Sequence, residues 1–278
     1  MATAAKYVIA EVEEIVECGE INPDQVHTPG VFVDAVVLTT EKSWPIEKLV
    51  NDDGQGLKIQ GKGADVRIKI AKRVAQEMQD GANVNLGIGI PTLVPSFVNP
   101  NFKIELHGEN GVFGVSGYPK TGDEHPDLIN AGKESIKVGK SASFFSSSDS
   151  FGMIRGGHLD CTVLGAMQVS ATADIANWII PGKLLKGMGG AMDLVSSGSK
   201  VIVAMEHTAK GTHKIIEKCT LPLTGKGCVT LVVTEMAVFD FTNNGRLTLK
   251  EVAEGVTIDD VKKATGAKFE TYSQVGKF

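Results

Sequence analysis

A carboxylate set among glycines is the part of this chain best suited to chemistry. Leu106-His107-Gly108-Glu109-Asn110-Gly111-Val112-Phe113-Gly114 follows a short β-like run over residues 102–106. Glycine takes φ > 0 without a Cβ penalty and lets backbone approach a ligand, so such a turn presents Glu109 rather than packing it. A glutamate is ionised at neutral pH and can attack an acyl carbon without a general base. The alternative is a turn with a solvated glutamate, and the nonapeptide by itself leaves both open. Acyl attack passes through a tetrahedral oxyanion, which needs backbone N–H groups aimed at it. Two Gly-rich stretches have the composition for that. Lys186-Gly187-Met188-Gly189-Gly190-Ala191-Met192-Asp193 is one, though its pattern equally suits a tight turn into a helix begun by Met192-Asp193-Leu194. Gly87-Ile88-Gly89 is the other, with Asn85 before it, a residue that by itself reads as a turn former.

Other patterns fail on inspection. Gly87-Ile88-Gly89 lacks the third glycine of a dinucleotide fingerprint. Gly139-Lys140-Ser141 resembles the end of a phosphate-binding loop, but its first glycine position holds Glu134, and Gly225-Lys226 is followed by Gly227. The six histidines form no group at ligand spacing, so no metal is expected. His107 lies beside Glu109, and alternation along a strand is expected to turn it to the other face, away from direct catalysis.

The elements that must position these groups form an α/β pattern. Val66, Ile70, Val74 and Met78 recur at helical spacing over residues 65–80, and Gly81 ends that helix. Residues 83–86 read as a strand running into the glycine turn, and Pro91 suits the first turn of a following helix. Residues 161–164, 200–204 and 231–234 are further strands. Helices are expected over 150–155, capped by Ser148 or Ser150, over 213–218, and from Thr257 to about Thr265. The expected fold is a mostly parallel sheet with helices on both faces. Upstream, residues 6–16 and 31–38 read as strands. Residues 39–63, with Asn51-Asp52-Asp53-Gly54, Gly61-Lys62-Gly63 and little apolar periodicity beyond Trp44, Ile46 and Leu49, read as a linker.

Leu-His-x-Glu-Asn-Gly followed by two apolar residues and glycine resembles the active-site glutamate motif of the family I coenzyme A transferases. The match runs from about Asp65 to Glu270 and looks like the beta-type half of members that move coenzyme A between succinyl-CoA and 3-oxoacids. Asp24-Gln25-Val26-His27-Thr28-Pro29-Gly30 resembles the tail of the alpha-type half. The implied organisation is a tail over residues 1–38, a linker over 39–63 and a beta-type domain over 64–278. One departure stands beside the glutamate: Gly108 occupies a position where the family pattern usually has serine. The resemblance implies that Glu109 is the nucleophile, that the Gly190 amide donates to the oxyanion and that Asn85 binds substrate or oxyanion. It implies that Gly189, Ala191, Gln168 and Asn110 meet the substrate. Residues 144–151 and 155–158 form a second family-like block that suits the lining of an acyl or pantetheine channel. The implied reaction passes coenzyme A from succinyl-CoA to acetoacetate through a glutamyl-CoA thioester, in the mitochondrial matrix, with no cofactor beyond the thioester substrate. The implied partners are an acyl-CoA, a short-chain acid, and either further copies or an alpha-type half. Acyl-CoA hydrolysis by the same glutamate, a non-catalytic binding subunit and a sugar-phosphate isomerase are the competing readings.

Composition agrees with a globular chain, 42% apolar and 22% charged over 278 residues. A net charge of −5 with scattered Lys and Arg gives no basic field for nucleic acid, and no apolar run reaches bilayer length. Four isolated cysteines fit free thiols in a reducing compartment. Glu11, Glu13, Glu14 and Glu17 make the start of the chain unlike a transit peptide.

Overall fold

A computed structural model describes residues 1–41, 45–52, 63–183, 187–242 and 245–278. Trp44, the Asp53-Gly54 and Gly61-Lys62 pairs and Lys186, all named above, lie outside the described residues. The chain divides into two compact units, Met1–Glu47 and Lys48–Phe278.

In the first unit, β1 (Ile9–Val12) pairs in parallel with β2 (Ala35–Leu38). Asp34 accepts the Val8 amide at 2.8 Å and starts the register. Ile9, Val36, Val37 and Leu38 are each at least half exposed. Parallel sheets are ordinarily covered on both faces, and two strands alone are marginal in water. This ribbon therefore has the surface of a piece cut from a larger sheet.

The second unit begins with Lys48–Asp52, inside the stretch read as a linker. The Val50 amide donates to Ser135 Oγ at 2.8 Å, and Lys48 Nζ donates to the Gly132 carbonyl at 2.8 Å. Helix α1 (Ala64–Ala75) leads to β3 (Asn83–Leu86), a 3₁₀ segment (Ile90–Phe97), β4 (Glu105–Gly108), β5 (Val112–Gly117) and β6 (Lys137–Phe144). Then come α2 (Ser147–Arg155), β7 (Cys161–Leu164), β8 (Gln168–Ser170), β9 (Ile175–Ala176), α3 (Ala191–Ser196) and β10 (Lys200–Ala204). The chain continues through β11 (Thr208–Ala209), β12 (Thr212–His213), β13 (Ile215–Ile216), β14 (Leu231–Val233), β15 (Ala237–Asp240), β16 (Thr248–Val252), α4 (Ile258–Ala264) and β17 (Glu270–Lys277).

Ten of these strands form one sheet among the described residues, in the order β17-β16-β15-β14-β10-β7-β3-β4-β5-β6. The five central strands, β14 to β4, are parallel. Antiparallel hairpins extend both sides, and β17 returns parallel to β16. Alternation along the strands sorts side chains into two cores. Val201, Val203, Val232 and Phe239 pack with Ile154 of α2, Leu194 of α3 and Val261 of α4. Ile202, Ala204, Val163 and Val84 pack with Ile70 and Val74 of α1 and Leu93 of the 3₁₀ segment. The expected parallel sheet with helices on both faces is what forms. Arg73 ties α1 to the far end of the sheet. Its Nε and Nη2 donate to Glu251 of β16 at 2.7 and 2.8 Å, and Nη1 reaches Glu77 at 2.9 Å.

Two local expectations are corrected. Residues 213–218 are not a helix: Ile215 and Ile216 pair in parallel with Val169 and Ser170, and the β-branched Ile215 is fully buried by that pairing. The cap of α2 is Ser146 rather than Ser148 or Ser150. Its Oγ accepts the Asp149 amide, and Asp149 accepts back from the Ser146 amide, a reciprocal capping box. All four cysteines are free thiols, and no helix among the described residues is long and apolar enough to cross a membrane.

Candidate active site

Strand β3 has β4 on one side and β7 on the other, so the chain changes winding direction there. Open α/β sheets bind ligands beyond the carboxyl ends of strands at such a point. Here Leu86 runs into Gly87, Gly108 into Glu109 and Leu164 into Gly165, and all six residues line one cavity of about 1950 Å³. Its lining includes Arg67, Lys72, Lys103 and Lys137 but also Asp52, Glu105, Glu109 and Glu134, so charges of both signs face it.

Glu109 sits in a three-residue hairpin loop, since Gly108 faces Val112 across β4 and β5. Gly111 closes the loop at φ 109°, its amide donating to the Gly108 carbonyl at 3.0 Å. A Cβ at Gly111 would collide with the Phe145 carbonyl, so glycine is required there for space as well as for φ. At Gly108, a Cβ would come within 2.7 Å of both Asn110 Oδ1 and Val112 Cγ1. A serine in this backbone would have to displace Asn110, whose Nδ2 donates to the Ile129 carbonyl at 2.7 Å.

The Glu109 side chain is half-buried and reaches the turn before α3. A Cβ added to Gly190 would run into Glu109 Oε2, and Phe151 Cζ would lie 3.1 Å from it on another side. The carboxylate thus rests directly on the Gly190 backbone, between α2 and α3. Among the described residues no hydrogen bond or ion pair occupies it. Burial pushes its pKa up, and the Asp193 charge adds to that. Asp193 is itself paired with Arg155 at 2.8 Å, and the Arg155 guanidinium lies 5.8 Å from the centre of the Phe151 ring.

Of the residues expected at the site, Asn85, Glu109, Gly189, Gly190 and Ala191 line the cavity together. Gln168 and Asn110 are not among its lining residues. The Gln168 amide is taken up by Thr220 and Leu221: Oε1 accepts both their backbone amides at 2.9 and 3.0 Å, and Nε2 donates to Thr220 Oγ1 at 2.9 Å. Asn85 is buried, and its Nδ2 donates to His107 Nδ1 and to the His107 carbonyl, each at 3.2 Å.

His107 departs from its expected orientation. It stands two residues before Glu109, and a period of two gives both the same side, where α2 lies. The ring is buried, stacked on Phe145 and edge-on to Phe113, and its Nε2 meets Ser150 Oγ at 3.0 Å. The sequence placed residues 144–151 and 155–158 in a channel lining, but it did not bring Phe151 and Asp193 to Glu109, pair Arg155 with Asp193 or join His107 to Ser150. Arg155 reaches Asp193 across 38 positions and Ser150 reaches His107 across 43, and no spacing rule reports those.

The coenzyme A transferase family model matches residues 1–39 and 67–264. The human mitochondrial succinyl-CoA:3-ketoacid coenzyme A transferase 2 is 50% identical over 274 residues, covering 97% of this chain and 52% of its own length. A subunit of the Helicobacter pylori succinyl-CoA:3-ketoacid coenzyme A transferase is 54% identical over 208 residues, covering 74% of this chain and all of that subunit. The chain spans about half the length of the mammalian relatives it matches. In fold it superposes on the Escherichia coli O157:H7 acyl-CoA transferase YdiF with a TM-score of 0.74 at 21% identity, over 98% of this chain and 55% of that one. Glutaconate coenzyme A-transferase from Acidaminococcus fermentans gives 0.58 at 19% identity, over 76% and 88%. With its glutamate turn at the carboxyl edge of a parallel sheet and a family match over most of its length, the chain belongs to the coenzyme A transferase family.

Proposed function

We propose that this chain carries the nucleophile of a coenzyme A transferase that moves coenzyme A from succinyl-CoA to a 3-oxoacid such as acetoacetate. One observation carries the reading. The Glu109 carboxylate rests on the Gly190 backbone inside a ligand-sized cavity, with no hydrogen bond or ion pair from the described residues using it. A glutamate oxygen attacks the thioester carbonyl, the C–S bond breaks and coenzyme A leaves as thiolate. The thiolate attacks the Glu109 acyl carbon of the resulting anhydride and releases succinate, leaving glutamyl-CoA. The acceptor carboxylate reverses both steps, so no oxidant or metal enters the balance.

The Gly190 N–H, on the backbone against which the carboxylate rests, is assigned to each oxyanion, the role that the family resemblance implies for it. Gly189 and Ala191 shape the wall around it, and Asn85 holds the floor. Burial and the Asp193 charge raise the basicity of the carboxylate, which favours its attack. Gln168 and Asn110 act at one remove, by fixing the turns they bond.

The exposed apolar β1–β2 ribbon supports a second part of the proposal, that activity requires an alpha-type half, supplied by another chain or by sequence beyond this one. The mitochondrial matrix is the proposed location. Intact mass after brief exposure to acetoacetyl-CoA, with and without an alpha-type half, tests the whole reading. A coenzyme A adduct on Glu109 that is lost in Glu109→Gln is expected. Absence of any adduct with the partner bound overturns it in favour of a binding subunit. Free thiol released without an acceptor acid overturns transfer in favour of hydrolysis.

A further inference from the structure

We infer that His107, as a neutral imidazole carrying its proton on Nε2, is a positioning residue that sets the Glu109 loop from beneath through Ser150 and Phe145. The inference rests on Glu109 being the nucleophile. The bonding pattern dictates the tautomer. The His107 carbonyl can only accept, so Asn85 must turn its NH₂ group toward it, and the same group then donates to Nδ1. With Nδ1 an acceptor, Nε2 bears the hydrogen and gives it to Ser150 Oγ at 3.0 Å. The Ser150 hydroxyl hydrogen is then directed at the Gly108 carbonyl, 3.4 Å away, at the peptide that leads into Glu109. A second proton on Nδ1 would set donor against donor, and burial without a countercharge disfavours it further.

The far side of the loop is held by the same ring. Phe145 stacks on His107 with centroids 6.1 Å apart, and the Phe145 amide donates to the Gly111 carbonyl at 3.0 Å. Both ends of the three-residue loop are thus referred to one imidazole, one by a hydrogen-bond chain and one by ring packing. Asn85, His107 and Ser150 are all buried, so no water competes for these bonds. Asn85 gives both amide hydrogens to this relay.

The test measures the rate of glutamyl-CoA formation on Glu109 in the full chain with its alpha-type half. His107→Ala and Ser150→Ala are expected to slow adduct formation and kcat by about tenfold or more, because the loop is mis-set while substrate contacts remain, with KM for the acyl-CoA within about twofold. His107→Gln keeps an acceptor and a donor on one planar group and is expected to recover most of the rate. Ser150→Ala removes a single hydroxyl and decides the matter if His107→Ala does not fold. Nitrogen-15 spectra of histidine-labelled chain, with the His107 signal assigned by its loss in His107→Gln and so separated from that of the equally buried His207, are expected to show His107 as a neutral imidazole protonated on Nε2. Wild-type adduct rates in both alanine variants overturn the inference, as does a His107 ring protonated on Nδ1. Failure of the wild-type chain to form the adduct overturns the functional reading beneath it, a distinct result.

Discussion

Gly190→Ala isolates the contact on which the proposed chemistry depends. Gly190 has φ −71° and ψ −10°, a right-handed conformation that alanine adopts freely, so no backbone strain confuses the result. The new methyl group would overlap Glu109 Oε2 and lie 3.1 Å from both Glu109 Cδ and Phe151 Cζ. Phe151 blocks retreat on one side, and Ile154 of the same helix is fully buried, so α2 cannot easily withdraw. The carboxylate, at the end of a flexible side chain, is what gives way, by about 1 Å. A misplacement of that size costs about 100-fold in rate, or roughly 3 kcal/mol of transition-state stabilisation. Folding stability should change by less than about 1 kcal/mol, the small penalty of alanine against glycine at a helix cap. The assay is single-turnover formation of the Glu109 adduct by intact mass, beside a denaturant titration of each protein. A folded Gly190→Ala chain that forms the adduct at the wild-type rate refutes the argument that Gly190 and Glu109 share the reaction centre.

Asp193→Asn and Arg155→Ala should shift the acid limb of adduct formation in opposite directions. Asp193 helps hold the proton on Glu109, so removing its charge lowers the Glu109 pKa and extends activity to lower pH. Removing Arg155 unmasks Asp193 and moves the limb up, by less because Arg155 is largely exposed. Gly111→Ala forces a methyl group into the Phe145 carbonyl at φ 109°. It should cost roughly 2–4 kcal/mol in a denaturant titration and abolish the adduct. Arg73→Met leaves Glu251 and Glu77 partly buried without their shared cation and should cost about 3–5 kcal/mol by the same titration. Burial would raise the Glu77 carboxyl, but the bonds and charges of Lys200 and Arg73 outweigh it and hold it below its ordinary value. That stabilisation is present above the unfolded-state pKa and is lost as pH falls through the folded one. Wild type should therefore lose more stability on acidification than Arg73→Met.

The sheet was legible because its strands are short β-branched runs set between glycine turns. Residues 83–86, 161–164 and 200–204 form strands with the expected bounds, and the 257–265 segment is a capped helix. Residues 213–218 misled because two isoleucines among charged residues fit a helical face as well as a strand, and only pairing with β8 decides between them. The N-cap of α2 was ambiguous because Ser146, Ser147, Ser148 and Ser150 are all competent acceptors. Asp149, three residues after Ser146, selects among them.

Sequence by itself determined which carboxylate is presented and why. A glutamate between Gly108 and Gly111 cannot be core, and loop closure at positive φ demands glycine whatever surrounds it. Tertiary structure decided what that carboxylate meets. Gly190 touches Glu109 from 81 positions away, Ser150 reaches His107 from 43, and Glu251 clamps Arg73 from 178. Each contact depends on strand order, register and the way a helix crosses the sheet, and local propensity carries no record of these. Gln168 shows the same dependence in reverse. The family resemblance suggested a place at the site, and here the amides of the Thr220 turn take up its side-chain oxygen. His107 stands on the division: the sequence reading turned it to the other face, the two-residue spacing allows the shared one, and only the buried partners on β3 and α2 fix its tautomer and give it work.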